Sequence, residues 1–188
     1  MLPLSPSTRH VLQLANYEAK RLKSPHVAPE HLLLAIINAR PPIARPILID
    51  AGVTLPQARL QVERFTRQWA VIQVKDLLPK SAETEAVLVL ARDEAEQMHH
   101  KQVVPEHLLL AILVELPGQT PQVLKHLGAP LDEMARDLAE KLRKTVVDAD
   151  PQPVQPVNED ALVYATPRFQ EDTRWVVLLR RLGLWARR

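Results

Sequence analysis

Few side chains in this sequence offer chemistry, and most of those come in matched sets. Pro29-Glu30-His31 is repeated as Pro105-Glu106-His107, 76 positions later, and Ser5 is repeated as Ser81 at the same interval. Each glutamate falls one residue after a proline suited to the first position of a helix, where a carboxylate complements the positive end of the helix dipole. Each histidine shares that first turn, where packing or a local hydrogen bond is its expected role. His99, His100 and His107 raise the question of a metal. His99 and His100 are adjacent, however, and neighbours on a helix point in different directions, which is poor spacing for shared ligation. No metal ligands are assigned. Asp93, Glu94 and Glu96 read as a charged helical face without a convergent pocket. No serine lies within the glycine pattern of a nucleophile elbow. There is no cysteine, which excludes thiolate nucleophiles, thiolate zinc sites and disulfides. None of the four glycines precedes a lysine, so a phosphate-binding loop ending Gly-Lys-Ser/Thr is missing. The expectation is a protein that is not an enzyme, with no catalytic residues and no cofactor.

The elements that carry these residues are legible as helices. Behind each Glu-His pair runs an apolar stretch, Leu32 to Ile37 and Leu108 to Val114. A helix apolar on all sides must be buried on all sides, so each should be the centre of a small core. Ser5 and Pro6 open an earlier helix with apolar positions at Val11, Leu12, Ala15, Ala19 and Leu22, the spacing of one helical face. Pro41-Pro42 ends the central helix. A short third helix carries Ile47 and Leu48 and stops at Gly52, and Thr54 with Pro56 opens a fourth. Adding 76 reproduces the plan without a gap: Ser81, Thr84, Val87-Leu88, Ala91, Glu94, Ala95, Val103, Leu124, Gly128 and Leu131. One supersecondary unit is used twice. The fold class expected is all-α: two pseudo-symmetric four-helix repeats packed as a double bundle, plus a C-terminal tail helix. The repeats span about 4–66 and 80–144 within a domain covering 1–147. A proline-rich linker follows over 148–160, then a basic amphipathic segment over 161–188.

Charge and composition narrow the partners. The chain has 188 residues and a net charge of +2. Residues 161–188 hold six arginines against two acids, which leaves the remainder slightly acidic. Nucleic-acid binding needs a concentrated basic surface, and the body lacks one. No secretory signal is visible at Met1-Leu2-Pro3-Leu4, and no apolar run approaches a membrane span. A cytoplasmic protein is expected, with docking of the tail onto the body favoured over partner or self-association, and membrane contact last.

The duplicated unit resembles the amino-terminal repeat domain of the Clp ATPases, the unfoldase-chaperones that feed Clp proteases or disaggregate proteins. The resemblance rests on Ser5, Val11-Leu12, Ala15, Glu18-Ala19, Val27, Glu30-His31-Leu32-Leu33-Leu34-Ala35, Leu48 and Gly52, and on the same pattern 76 residues on. It covers roughly residues 4 to 144, without the nucleotide-binding modules. It implies an all-α double repeat that captures protein substrates or adaptors, with Clp ATPase or protease subunits as further partners. An accessory protein that associates with or caps a Clp protease complex is the alternative. In members with the closest Glu-His motif the repeats bind phosphoarginine. The resemblance then implies ligand-binding roles for Glu30 with Ser5 and Glu106 with Ser81, with serine where threonine is usual. A carboxylate grips a guanidinium in a planar fork, and a helix N-terminus offers N–H groups to a phosphate. The simpler role of each glutamate, complementing its own helix dipole, stays open.

Overall fold

The computed structural model describes residues 2–66, 77–115 and 118–145. These belong to one compact unit within Met1–Pro153. The expected linker, the basic C-terminal segment and most of the segment joining the repeats lie outside the described residues.

Eight helices are described: α1 (Pro6–Arg21), α2 (Pro29–Ala39), α3 (Ala44–Asp50), α4 (Leu55–Thr66), α5 (Ala82–Gln97), α6 (Pro105–Glu115), α7 (Thr120–His126) and α8 (Leu131–Lys144). Their boundaries follow the local chemistry. The Ser5 hydroxyl accepts the Thr8 N–H at 3.1 Å, and the Ser81 hydroxyl accepts the Thr84 N–H at 3.2 Å. Each cap satisfies a donor that a helix start leaves orphaned. Arg40 closes α2 in the left-handed region ahead of the two prolines, and Gly52 turns the chain after α3 at φ +68°.

α2 and α6 are the two centres. Leu32, Leu33, Leu34, Ala35 and Ile36 are buried in α2, as are Leu108, Leu109, Leu110, Ala111 and Ile112 in α6. Val114 departs from the expected all-round burial and is 58% exposed. It occupies the last turn of α6, where it lines an open cleft shared with α5 and α8. α1 and α4 pack on α2, and α5 and α8 pack on α6. No single helix among the described residues is long and apolar enough to cross a membrane.

The two repeats are joined by reciprocal seams. The residues ahead of α1 pair with the connector ahead of α6: Ser5 donates its N–H to the Val103 carbonyl at 3.0 Å, and Val103 donates to the Pro3 carbonyl at 2.9 Å. Shifted by 76, the same exchange recurs. Val27 donates to the Pro79 carbonyl at 2.8 Å, and Ser81 donates to the Val27 carbonyl at 2.9 Å. Both pairings are short parallel bridges, Leu4 with Val103 and Val27 with Lys80. Thr8 and Thr84 add hydroxyl donors to the same two carbonyls, at 2.7 and 2.9 Å. Crossed helix packing completes the arrangement, with α2 against α6, α3 against α8 and α4 against α7. The repeats therefore exchange contacts as a pseudo-twofold pair.

Candidate functional site

Glu30 and Glu106 sit in the first turns of α2 and α6, each 3% exposed. Each reaches across to the other repeat. The Ile43 N–H, at the residue before α3, donates to Glu106 Oε1 at 3.2 Å. Gln119 is the position equivalent to Ile43 and precedes α7. Its backbone N–H faces the Glu30 carboxylate and lowers the Glu30 pKa, as does the N–H of Glu30 itself. Burial outweighs both, and the Glu83 charge adds to it, so the net shift is upward. Glu30 Oε2 is buried and accepts no hydrogen bond. Gly118 passes close by at φ +61°, where a Cβ would lie 3.3 Å from that oxygen. Glycine thus meets two demands there, a left-handed backbone and a close approach.

Each carboxylate therefore meets the positive ends of two helices, its own and a short helix of the opposite repeat. The dipole role was readable from the sequence. The cross-repeat amide was not, because Ile43 and Gln119 share no feature of residue type. The serines are also crossed. Ser5 is bonded to the connector that leads into Glu106, and Ser81 to the one that leads into Glu30. Sequence pairing placed each serine with the glutamate of its own repeat, whereas the seams set it beside the segment of the other. Ser5 is fully buried and Ser81 half-buried.

His31 and His107 make the same local bond. His31 Nδ1 accepts the Ala28 N–H at 2.9 Å, and His107 Nδ1 accepts the Val104 N–H at 3.0 Å. Each ring thereby caps the start of its helix. Their second nitrogens differ. His31 Nε2 is buried without a partner. His107 Nε2 lies 2.8 Å from His100 Nδ1, and His100 Nε2 lies 3.0 Å from the Thr145 carbonyl. The bonds fix the tautomers: His107 donates from Nε2 to His100, which donates from Nε2 to Thr145. Burial, with the nearby charges of His26 and Arg21, holds the His31 pKa at about 3. Burial and the neighbouring His100 hold that of His107 at about 4. Both rings are neutral near pH 7. The sequence does not signal this pair, since the seven-residue step between His100 and His107 crosses from just past the end of α5 into α6.

A second arrangement escaped the sequence. Glu18, on α1, is 0% exposed. Arg59 Nε lies 3.1 and 3.3 Å from its two oxygens, and Arg59 Nη2 joins the same carboxylate. Arg21 adds a bond at 2.9 Å and links onward to Glu63 at 2.6 Å. The expected charged face around Glu94 is also only partly exposed: Asp93 and Glu96 face solvent, while Glu94 is half-buried.

Taken together, the geometry defines an all-α double repeat whose acidic and imidazole groups hold the helix starts and the inter-repeat junction. The profile of the Clp repeat (R) N-terminal domain matches residues 3–81 and 79–171, and the chain belongs to that family. The second match runs past residue 144, where the resemblance was expected to end. Pea chloroplastic chaperone protein ClpC is 35% identical over 119 residues, 63% of this chain and 13% of that protein. Chaperone protein ClpC2 of rice chloroplasts is 37% identical over 120 residues, again 63% of this chain and 13% of the relative. The chain thus spans about an eighth of these relatives. Among solved structures, the N-terminal domain of ClpD from Arabidopsis thaliana aligns with a TM-score of 0.63 at 23% identity, covering 74% of this chain and 94% of that one. The Hsp104 N-terminal domain from Candida albicans aligns at 0.64 and 19% identity, covering 78% and 96%. Both support the fold.

Proposed function

We propose that this chain is a non-catalytic protein-binding module that recognises substrates or adaptors for a Clp-type chaperone–protease. The observation that carries the reading is the pair of equivalent carboxylates, Glu30 and Glu106, held in the same setting in both repeats. Two such sites suit a bivalent grip on a polypeptide. The ligand chemistry proposed is a phosphoarginine or arginine-bearing peptide. Its guanidinium takes the place of the Gln119 or Ile43 amide on the carboxylate. Its phosphate meets the helix starts that Ser5 and Ser81 open. Because both glutamates are almost fully covered, the ligand has to displace those amides to enter. Glu30 Oε2, buried with no hydrogen bond, is the acceptor it would satisfy.

Calorimetric titration of the full chain with phosphoarginine, and with a peptide containing it, tests this reading. Glu30→Gln combined with Glu106→Gln keeps an oxygen for each amide but removes the charge. At about 1.5–3 kcal/mol for a hydrogen bond to a charged group, affinity should fall about tenfold or more for each site. Binding equal to that of the parent, or none by the parent, would reject the site assignment.

The second reading is an accessory protein that associates with or caps a Clp protease complex. It draws on the same match to the repeat domain, whose buried, pseudo-twofold body can serve as a docking piece without a client. Sedimentation with purified protease core separates the two, since a capping protein co-sediments without any client.

A further inference from the structure

One repeat fills by itself a site that the other leaves open. In the first repeat Glu18 is gripped by Arg59 and Arg21, and Arg21 is steadied by Glu63. Shifted by 76, Glu18 becomes Glu94. Its partners become Ala135, Gln97 and Ala139. The acid is kept while both arginines are lost. No described residue pairs with the Glu94 carboxylate. A cleft of about 300 Å³ lies where the Arg59 side chain would stand, lined by Glu94, Leu110, Val114, Ala135, Ala139, Arg136 and Arg143.

The lining carries a recognition pattern. Glu94 offers a carboxylate to a guanidinium fork. Leu110 and the exposed Val114 give an apolar wall for the methylene stem of a long cationic side chain. Arg136 and Arg143 stand on α8 at the rim. They oppose a bare cluster of cations and favour a cation flanked by acids. We propose that the cleft between α5, α6 and α8 receives an arginine side chain of a partner polypeptide, its guanidinium forked on Glu94 as that of Arg59 is on Glu18, with acidic neighbours of that arginine held by Arg136 and Arg143.

The first repeat is the template for this complex, so the geometry is one the fold already supports. Arginine is preferred over lysine because a carboxylate at the end of such a cleft accepts a planar fork better than a point charge. Binding here requires neither Glu30 nor Glu106, and the proposal stands apart from phosphoarginine recognition. It also makes the two repeats unequal: one is closed by its own arginine, the other is open to a partner.

The test is a backbone-amide NMR titration of the full chain with the blocked tripeptide Glu-Arg-Glu, up to about 5 mM, enough to populate a millimolar complex. Shifts should concentrate at Glu94, Leu110, Val114, Ala135 and Ala139. The Glu-Lys-Glu tripeptide should bind about tenfold more weakly, as expected when one charge-assisted bond of a fork is lost. Glu94→Gln should abolish the shifts, and Glu30→Gln with Glu106→Gln should leave them in place. Ala135→Arg supplies the missing guanidinium from within and should block the tripeptide while raising Tm. If that variant does not fold, Glu94→Gln decides alone. The proposal is overturned by shifts elsewhere, by no shifts, by equal binding of the lysine peptide, or by binding that survives Glu94→Gln.

Discussion

The two histidines at the starts of α2 and α6 set how this protein responds to acid. Both are neutral when folded, with pKa values of about 3 for His31 and about 4 for His107, against 6.5 in an open chain. Between those values the unfolded state binds more protons, so stability is full above about pH 6.5 and falls as pH drops toward about 4 for His107 and about 3 for His31. Glu30 acts in the opposite sense. Its raised pKa means that the folded state takes up a proton first, which offsets part of the loss at the acid end of that window. His31→Asn keeps an acceptor for the Ala28 N–H and removes the titrating ring. Urea unfolding at a series of pH values should show a shallower acid slope for this variant than for the parent. An unchanged slope would assign acid sensitivity elsewhere. The Glu18 network supplies a second contrast. Replacing Arg59 and Arg21 together by alanine strands a buried carboxylate and should cost about 3–5 kcal/mol. Glu94→Gln, at the matching but unpaired position, should change stability by no more than about 0.5 kcal/mol.

At the scale of elements, α2 and α6 carry most of the large, fully buried side chains. Leu34→Ala removes a fully buried side chain and should cost about 2–5 kcal/mol, measured as a lower urea midpoint. The helix order, the serine caps and the burial of these two helices were legible because each depends on local pattern: a capping residue, a proline at the first position, an unbroken apolar run. The exposure of Val114 was not, since an apolar run does not record which of its faces meets an open cleft. Nor was the partner of either glutamate. A carboxylate advertises its charge in sequence, but an amide such as that of Ile43 or Gln119 carries no signature at all. Arg59 was invisible as the partner of Glu18 because 41 residues separate them. The clue was the retention of Glu94 where every basic partner had been replaced, and it acquired meaning only once the first repeat showed what the acid holds. Gly118 belongs in part to the same class: beside its left-handed backbone, its need for glycine comes from the oxygen of Glu30, far away in the chain. Gly118→Ala should cost about 1 kcal/mol or more, because alanine is strained at positive φ and also meets that oxygen.

Across the whole molecule, the crossed seams and crossed caps make the repeats mutually dependent. Unfolding should be a single transition, with Leu34→Ala lowering amide protection in α6 as well as in α2 by hydrogen exchange. Protection lost from α2 alone would mean that the repeats open separately. Thr8→Val with Thr84→Val removes one hydroxyl bond from each seam and should cost about 1 kcal/mol per site. The reciprocal pairing also bears on ancestry. A single copy of this unit would leave an unzipped opening segment and an unzipped connector, each the complement of the other on a sister molecule. The one-copy forerunner is thus expected to be a homodimer, with duplication tethering two subunits that already embraced. Residues 2–66 expressed alone would re-create that founding pair.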